Sequence, residues 1–455
     1  MMMIRRHVSP MSLALGRAVC VLAFGSPALA LAQVTTPTSP PVQVPPSSTE
    51  QGHTELDESF GPLTHDEWVR ETRRQAFEDT VWNVQLRTYY LTREKYDDSE
   101  IEAWALGGSA GFKTGYFRER VAFGATVYTS QKLYGPEDKD GTLLLANGQE
   151  SYTMLGELYG EVLFTPDVKM TLGARAFDTP YLNKNDSRMT PNTFTAAAVQ
   201  GLHGDGTAES PEWRWGAGYF DEIKPRNENQ FISMAEAAGT TEVKRGVFAG
   251  GLNYKRGDLS LGAVDYYSAD LLNIFYAEGK WSMPVSAGAK LRFALQYSDQ
   301  QSVGDAFLDE FSSWQWGGKA ELAVGPALLT LAYTSAGGDA NMRNPWSGYP
   351  GYTSVQVEDF NRAGEDAWMV RAGYDVEQVK GLSLYALYVA GSAPDTSGFG
   401  RGETDFNVQW TPPEGKLKGL MVRVRYANVA QDDPGDTDLN DLRVMVYYDL
   451  PLSKE

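Results

Sequence analysis

The sequence predicts an all-β protein whose antiparallel strands run up and down around a closed transmembrane barrel. Two observations lead to this prediction. Residues 439–450 alternate strictly, with apolar Leu442, Val444, Val446, Tyr448 and Leu450 separated by Arg443, Met445, Tyr447 and Asp449. That pattern is typical of a strand with one face against lipid and the other against water. The second observation is an export signal at the N-terminus.

The signal is expected over residues 1–32, where arginines precede an apolar run that ends in the small residues Ala28, Ala30 and Ala32. Cys20 is the single cysteine and lies inside this signal, so the mature chain is expected to form no disulfide and no cysteine metal site. No other stretch approaches the roughly 18 apolar residues of a membrane helix, which favours a closed barrel over a helix bundle.

Three segments follow the signal. Residues 33–62 are rich in Pro, Thr and Ser and are expected to form a disordered linker. Residues 63–76 are expected to form a short periplasmic helix, with Thr64 and Glu67 as a capping box and about three turns extending to Phe77. This helix is interpreted as lying on the surface, in the barrel mouth, or as a frayed extension. Residues 77–455 are expected to form the barrel domain.

From about Thr80 the hydrophobic period becomes two and stays so to the end of the chain. Clear windows cover residues 82–90, 168–176, 289–297 and 420–426, and roughly 16 to 18 such windows fit between residue 80 and the C-terminus. Short connections alternate with long ones, as expected for periplasmic turns and extracellular loops. A secreted β-sandwich or β-helix would also alternate, with its apolar face toward a core, and remains open as an alternative.

The charge pattern limits the classes of partner. The formal net charge is −19, and removing the signal takes away three arginines and no acids. Such an excess argues against a nucleic-acid partner. The acids cluster between strand windows, where they would face solvent or approach lipopolysaccharide phosphates through calcium, while aromatic residues near strand ends suggest contact with outer-membrane lipid.

Basic residues recur on the polar faces of the predicted strands, where a barrel would point them into its lumen. They form a predicted basic ladder along the solute path: Arg87, Arg175, Lys290, Arg292, Arg371, Arg423, Arg425 and Arg443. Glu157 and Glu161 also fall on a polar face and are candidate lumen acids. In a sandwich the same residues would be solvated outer-face charges.

Several segments resemble the OprD-type substrate-selective outer-membrane porins of Gram-negative bacteria. The similar blocks are FEDTVWNVQLRTYYLTRE from Phe77, AFDTPYLNKNDSRMTPNTF from Ala176, SVQVEDFNRAGEDAWMVRAGYD from Ser354, LKGLMVRVRYA from Leu417 and LNDLRVMVYYDLPL from Leu439. The Pro-rich linker and the capped helix are not typical of that family.

The resemblance implies a barrel of about 18 strands, narrowed by an inward-folded constriction loop. It implies a cell outer membrane location, a monomer with a trimer as the alternative, and assembly by the barrel assembly machinery. It also implies passive uptake of small water-soluble carboxylate-bearing solutes, such as amino acids, small peptides or aromatic and organic acids, through an arginine-lined lumen. The constriction candidates in the matching segment are Tyr181, Asn183, Asn185, Asp186 and Arg188.

The sequence gives little support for catalysis. His203 is the one histidine available to a barrel site, and no hydrolase, zinc or phosphate-loop motif accompanies it. We therefore expect no enzyme, no cofactor and no metal. An outer-membrane hydrolase or protease with a barrel body and an anionic polysaccharide export channel are the alternative functions.

Overall fold

Strands follow one another along the chain from residue 81 to residue 449. The computed structural model describes residues 63–392, 399–432 and 438–452, so the expected signal and linker lie outside the described residues. Within these ranges, two α-helices, α1 (His65–Thr72) and α2 (Met234–Ala238), and a 3₁₀-helix, Glu137–Lys139, accompany 19 strands. The strands are β1 (Val81–Glu94), β2 (Glu100–Lys113), β3 (Val121–Tyr134), β4 (Tyr152–Thr165), β5 (Val168–Arg175), β6 (Thr193–His203), β7 (Glu212–Lys224), β8 (Ile232–Ser233), β9 (Val247–Arg256), β10 (Leu259–Ser268), β11 (Leu272–Ser286), β12 (Ala289–Ser302), β13 (Ser312–Val324), β14 (Ala327–Gly338), β15 (Asp366–Asp375), β16 (Leu382–Gly391), β17 (Arg401–Trp410), β18 (Leu420–Gln431) and β19 (Leu439–Asp449).

Every long strand pairs antiparallel with its neighbours in sequence, and the sheet closes where β1 meets β19. The closing register pairs Gln85 with Asp449 and Glu94 with Asn440. The two-residue β8 pairs with β7 only, so β7 continues to β9 and 18 strands make the wall. Closure leaves no unpaired edge among the 18 described strands of the wall, as strands in lipid require. The predicted up-and-down barrel is confirmed.

The two ends of the barrel differ in their connections. One end, which we call the turn end, carries two-residue connections such as 257–258 and 325–326 together with both described termini. Gly257 (φ +56°) and Gly325 (φ +52°) supply the left-handed backbone there. The other end, the loop end, carries the long connections 135–151, 176–192, 225–246 and 339–365. Bacterial barrels place their short turns in the periplasm, so the turn end faces the periplasm.

Side-chain direction follows the predicted alternation. On β12, Leu291, Phe293 and Leu295 point outward, and Leu295 is 66% exposed in the isolated chain. Ala294 and Gln296 point into the lumen and are buried. Outward aromatics gather near both ends of the wall, namely Trp82, Phe123, Phe164, Trp213 and Trp281 at the turn end and Tyr134, Phe248, Tyr267, Trp314 and Trp368 at the loop end. These two belts lie where aromatic residues favour a lipid interface.

The N-terminal helix is shorter than predicted. The expected capping box is present, because Thr64 Oγ1 accepts from the Glu67 backbone N–H (3.3 Å) and the Glu67 carboxylate accepts from the Thr64 N–H (2.9 Å). The helix ends at Thr72 rather than extending to Phe77, since Gln75 instead forms a parallel bridge to Tyr116 after β2. No helix in the described ranges is long and apolar enough to cross a bilayer.

An apolar cluster lies inside the barrel, where inward-folded loops pack on one sector of the wall. Its members are contributed by loop 176–192 (Tyr181, Leu182), α2 (Met234, Ala235), strands β10 and β11 (Tyr266, Ile274, Tyr276) and loop 339–365 (Met342, Trp346, Tyr349). Burying this apolar surface holds the loops in the lumen. The expected inward-folded constriction is therefore part of the fold.

Candidate functional site

The loop at 176–192, here called the constriction loop, crosses the lumen. Tyr181 is fully buried, and its ring lies 6.1–6.2 Å from those of Tyr266, Tyr276 and Tyr349. Its hydroxyl donates to Ser298 Oγ of β12 (2.9 Å). Aromatic edge-to-face packing with a satisfied hydroxyl fixes such a ring firmly. Because the same loop reaches β1 through Asp186, it is anchored to two separate sectors of the wall.

Asp186 forms that second anchor with Arg87. Its two carboxylate oxygens accept from the two terminal guanidinium nitrogens of Arg87 at 2.5 and 2.6 Å. Burial raises the pKa of the Asp186 carboxyl, but the charge and hydrogen bonds of Arg87 together lower it by more. The pKa therefore lies below its ordinary value. Arg87 also donates to the Arg188 carbonyl (3.1 Å) and stacks 4.7 Å from the Tyr447 ring. Arg87 is thus paired within the wall of the constriction.

Arg188 and Arg226 differ from Arg87 because their hydrogen-bond acceptors are neutral. Arg188 donates to the Thr142 carbonyl and the Ser187 carbonyl, both at 2.9 Å. Arg226, from the loop after β7, donates to Asn185 Oδ1 (3.0 Å) and to Ser187 Oγ. Ser187 therefore joins both guanidiniums. Among the described residues, neither guanidinium has a carboxylate within 4 Å.

Arg188 and Arg226, which we call the constriction cations, have surroundings that disfavour their charged forms. Burial and the charges of Arg443 and Arg226 hold the pKa of Arg188 well below its usual range. Burial and Arg443 lower the pKa of Arg226 to about 10. Cations crowded together in a low-dielectric site attract an anion strongly. The pair therefore concentrates positive charge at the constriction.

The two predicted asparagines shape the loop. Asn183 Oδ1 accepts from the Asn185 backbone N–H (2.9 Å), and Asn185 adopts φ +38°, a conformation that asparagine tolerates better than most residues. Asn185 then presents its own Oδ1 to Ser187 Oγ (2.9 Å) and Arg226. Asn185 consequently helps to position Arg226 and Ser187.

A second inward loop, 339–365, was not predicted as part of the site and is here called the long loop. Trp346 is fully buried and donates through Nε1 to the Met234 carbonyl (2.9 Å). Gln356 donates to Asp441 Oδ1 (2.7 Å), and its carbonyl accepts from Arg443 (2.8 Å). The long loop therefore spans from the apolar cluster to the wall at β19.

Asp359 is the acid of the long loop that faces the constriction. Burial and the nearby Glu358 raise its pKa to about 6, although Ser354 donates to it (2.7 Å) and Arg401 and Arg226 act in the opposite direction. Asp359 is thus close enough to Arg226 to feel its charge. Sequence alone gave one signal for this loop: 345–360 is rich in aromatic residues and glycine, which a fully solvated loop seldom is.

The eight basic-ladder residues do not form one column. Arg87, Arg423, Arg425 and Arg443 lie on the adjoining strands β1, β18 and β19, with Arg425 directly opposite Arg443 in the register. Arg371 on β15 stacks 3.9 Å from the Tyr385 ring. Arg292 pairs with Glu321, and Lys290 lies 3.5 Å from Asp258 at the turn end, both on the other side of the lumen.

Arg443 and Arg423 already have acceptors in the wall. Arg443 Nε donates to Asp441 Oδ1 (2.6 Å), and only 2% of Arg443 is exposed. Arg423 Nε donates to Asn407 Oδ1 (2.5 Å). The structure therefore brings four predicted cations together beside the constriction but engages several of them with protein groups.

The two predicted lumen acids lie on the inner face of β4. Glu157 accepts from Thr126 Oγ1 and from the Ala176 backbone N–H, both at 2.8 Å. Glu161 is fully buried and pairs with Arg175 (2.5 Å) and Lys113 (2.7 Å). Arg175, the remaining ladder residue, is thus remote from the β18 and β19 arginines.

His203, the candidate for catalysis, lies outside the lumen. It ends β6 at the turn end, its side chain is 76% exposed, and its Nδ1 is 3.7 Å from Asp167. Among the described residues, no group of three or more His, Cys, Asp or Glu side chains could hold a metal. The position of His203 gives no enclosed site for a substrate.

Comparisons with known proteins agree with this geometry. A family model for outer membrane porins of the OprD family matches residues 75–452. Porin D of Pseudomonas aeruginosa is 26% identical over 419 residues, which covers 82% of this chain and 91% of that protein.

Solved porin structures share the fold. OpdK of P. aeruginosa, whose structure was determined with vanillate, is 24% identical with a TM-score of 0.72 over 82% of this chain and 99% of its own. OccAB3 of Acinetobacter baumannii is 19% identical with a TM-score of 0.74 over 82% of this chain and 100% of its own. A BenF-like porin of Pseudomonas fluorescens Pf-5 is 21% identical with a TM-score of 0.71 over 82% and 100% of the two chains.

The closed barrel, the inward loops and the family match lead to one conclusion. The chain belongs to the OprD family of outer membrane porins and is a channel for small solutes, not an enzyme.

Proposed function

We propose that this porin takes up small solutes that carry a carboxylate group, and that Arg188 and Arg226 bind that group at the constriction. The supporting observation is that two neighbouring guanidiniums, joined through Ser187, have only neutral acceptors among the described residues. At a separation near 4 Å and an effective dielectric constant of about 20, each contact with a carboxylate is worth about 4 kcal/mol before desolvation.

The surroundings of the pair suit passage rather than tight retention. Arg425 of β18 lies opposite Arg443 of β19 and adds positive charge near the pair, so the attraction for a carboxylate extends beyond Arg188 and Arg226 even though Asp441 balances Arg443. Asp359 lies close enough to Arg226 to interact with its charge, and it would favour a solute that also carries an ammonium group. The relative OpdK was crystallised with vanillate, an aromatic carboxylate, which is chemistry of the proposed class.

Amino acids, small peptides and organic acids all fit this description. A polymer fits it less well, because both the constriction loop and the long loop occupy the lumen. The proposal therefore keeps a small monomeric solute rather than an anionic polysaccharide.

The test uses detergent-purified protein in a planar bilayer with a salt gradient, and benzoate added as the probe. We expect benzoate to block the wild-type channel, and we expect Arg188→Ala and Arg226→Ala each to weaken that block about tenfold. The estimate follows because a hydrogen bond to a charged group contributes roughly 1.5–3 kcal/mol.

Arg256→Ala is the matched control, because Arg256 is exposed at the turn end and its Nε donates only to the Ala208 carbonyl (2.9 Å) in the described structure. Benzoate should block the Arg256→Ala channel at the same concentration as the wild-type channel. A benzoate block that is equal in all four proteins would contradict the proposal.

A further inference from the structure

Helix α1 lies against the turn-end mouth of the lumen. Trp68 is 3% exposed, and its Nε1 donates to the Pro166 carbonyl (2.8 Å) in the turn between β4 and β5. The Leu63 carbonyl, just before the helix, accepts from the luminal Arg214 of β7 (2.8 Å). The helix is thus fixed to the strands on one side of the mouth.

The inner side of α1 meets a group of luminal cations. Lys169 of β5 is buried and Lys113 of β2 is nearly so, with side chains 4% and 12% exposed. Together with Arg175 they surround Glu161, and we call the three cations the exit cluster. Three positive charges around one wall carboxylate leave the cluster with a positive excess.

Glu71 of α1 supplies the second carboxylate. It forms an ion pair with Lys113 and lies 3.6 Å from Lys169, whose ammonium group also sits 4.1 Å from the Trp68 ring. Burial raises the pKa of Glu71, but the charges of Lys169 and Lys113 together lower it by more. The carboxyl therefore stays ionised at neutral pH. The Glu71 carboxylate of the helix therefore lies where the cations of the wall could otherwise bind a free anion.

A cavity adjoins this place and extends to the first half of the constriction loop. Its volume is about 380 Å³, and it is lined by Trp68 and Glu71 of α1, by Lys169 and Arg175 of β5, and by Phe177 and Lys184 of the constriction loop. Two of the three exit-cluster cations, Lys169 and Arg175, therefore line a space that is large enough for a small carboxylate and lies on the turn-end side of the constriction loop.

We propose that the exit cluster is a second carboxylate-binding site on the solute path, and that Glu71 occupies it as a tethered competitor. This inference rests on the proposed function of the channel. A tethered group acts at an effective concentration in the millimolar range. A solute must therefore displace Glu71, and α1 with it, before it can bind Lys113 and Lys169.

The test compares Glu71→Gln with Asp66→Asn. Both remove one acid from α1, but Asp66 lies on the exposed side of the helix and away from the exit cluster. In a bilayer under a potassium chloride gradient, Glu71→Gln should shift the reversal potential toward anion selectivity, while Asp66→Asn leaves it near the wild-type value. Benzoate added to each side in turn should block Glu71→Gln at an about tenfold lower concentration, from the turn end.

Two further variants separate competition from misfolding. Trp68→Ala keeps the Glu71 charge but removes the anchor of α1, and it should shift benzoate block in the same direction. In Glu71→Gln/Lys169→Met the gain should disappear, because the binding cation is lost. Heat-modified gel mobility confirms that each barrel is folded.

Equal behaviour of Glu71→Gln and Asp66→Asn overturns the inference, and so does a gain that persists in the double variant. Failure of the proposed function appears differently. In that case benzoate blocks none of the channels, while the reversal potential in potassium chloride still reports whether Glu71 neutralises the exit cluster.

Discussion

Two arginines of the constriction differ in what surrounds their charge. Arg87 is held by both carboxylate oxygens of Asp186, whereas Arg188 donates to backbone carbonyls of Thr142 and Ser187. A bidentate pair satisfies a guanidinium geometrically and electrically, but a carbonyl supplies only a dipole. The solute-facing charge of the lumen is therefore decided by which cations lack an acid, rather than by how many cations there are.

Asp186→Asn tests this statement. The amide keeps the size of the side chain but removes the charge that balances Arg87, so anion selectivity should increase. The measurement is the reversal potential under a potassium chloride gradient. Asp97→Asn, at an exposed position in the loop after β1, should not change it. A reversal potential that responds equally to both substitutions would show that only the total charge matters.

The raised pKa of Asp359 predicts that the anion selectivity of the channel depends on pH. Burial raises its pKa to about 6, so the carboxylate is ionised at pH 7.5 and protonated at pH 5. Losing this negative charge beside Arg226 should increase anion selectivity on acidification, and Asp359→Asn should lose that part of the response. Reversal potentials at the two pH values give the answer. The same selectivity change in the wild type and Asp359→Asn would exclude Asp359 as its source.

The stability effect of Asp359 has a defined sign. Its pKa in the folded protein lies above the ordinary carboxyl value of about 4. Between these values the folded state binds a proton that the unfolded state does not. Stability contributed by this group therefore increases as the pH falls from about 6 toward about 4, opposite to an acid whose pKa is lowered by a salt bridge.

Among the elements, the two inward loops depend on each other. The constriction loop contributes Tyr181 and the long loop contributes Trp346 and Tyr349 to a single apolar cluster. Ser347 of the long loop also donates to the Pro180 carbonyl (3.4 Å). Loops that lack strand pairing are held by such packing, so the constriction should loosen when an anchor is removed.

Tyr181→Ala should increase single-channel conductance and current noise. Truncating a buried aromatic ring to alanine costs roughly 3–5 kcal/mol, which here would be lost from the docking of the loop rather than from the barrel strands. Tyr181→Phe is the control, because it loses the bond to Ser298 but keeps the ring contacts. Unchanged conductance in Tyr181→Ala would show that the loop is held elsewhere.

At the scale of the whole molecule, the outer face of the barrel wall meets lipid and the lumen meets water, whereas a soluble protein has an apolar core and a polar surface. The outward faces are apolar and the lumen holds charged pairs, so stability depends on the depth of an outward residue in the bilayer. Leu295 lies in the middle of β12, whereas Val285 lies near the turn end of β11. Both point outward and are largely exposed in the isolated chain.

Leu295→Arg should destabilise the barrel by about 2–4 kcal/mol, and Val285→Arg by about 0–1 kcal/mol. The measurement is unfolding in denaturant from lipid vesicles, followed by tryptophan fluorescence. The reason for the difference is the depth of the introduced charge. Equal losses at the two positions would contradict the assignment of residue 295 to the bilayer centre.

Much of this architecture could be predicted because it is local in sequence. Alternation on β12, β18 and β19 gave the inward and outward faces correctly, and the capping box gave the start of α1. The end of α1 was predicted too late, because the bridge from Gln75 to Tyr116 competes with the next helical turn. Arg226 and the long loop were missed, since nothing near them in sequence shows that they meet the constriction.

The sequence by itself determined the strand pattern, the lipid face and the lumen face, because each depends on neighbours one or two positions away, whereas the constriction loop was identified by its resemblance to a family. Only the tertiary structure decided which charges are available. Arg87 meets Asp186, Lys113 meets Glu71, and Arg443 meets the long loop, each across many residues of chain. Barrel closure brings these partners together, and pairing at contact distance determines whether a lumen cation can bind a solute.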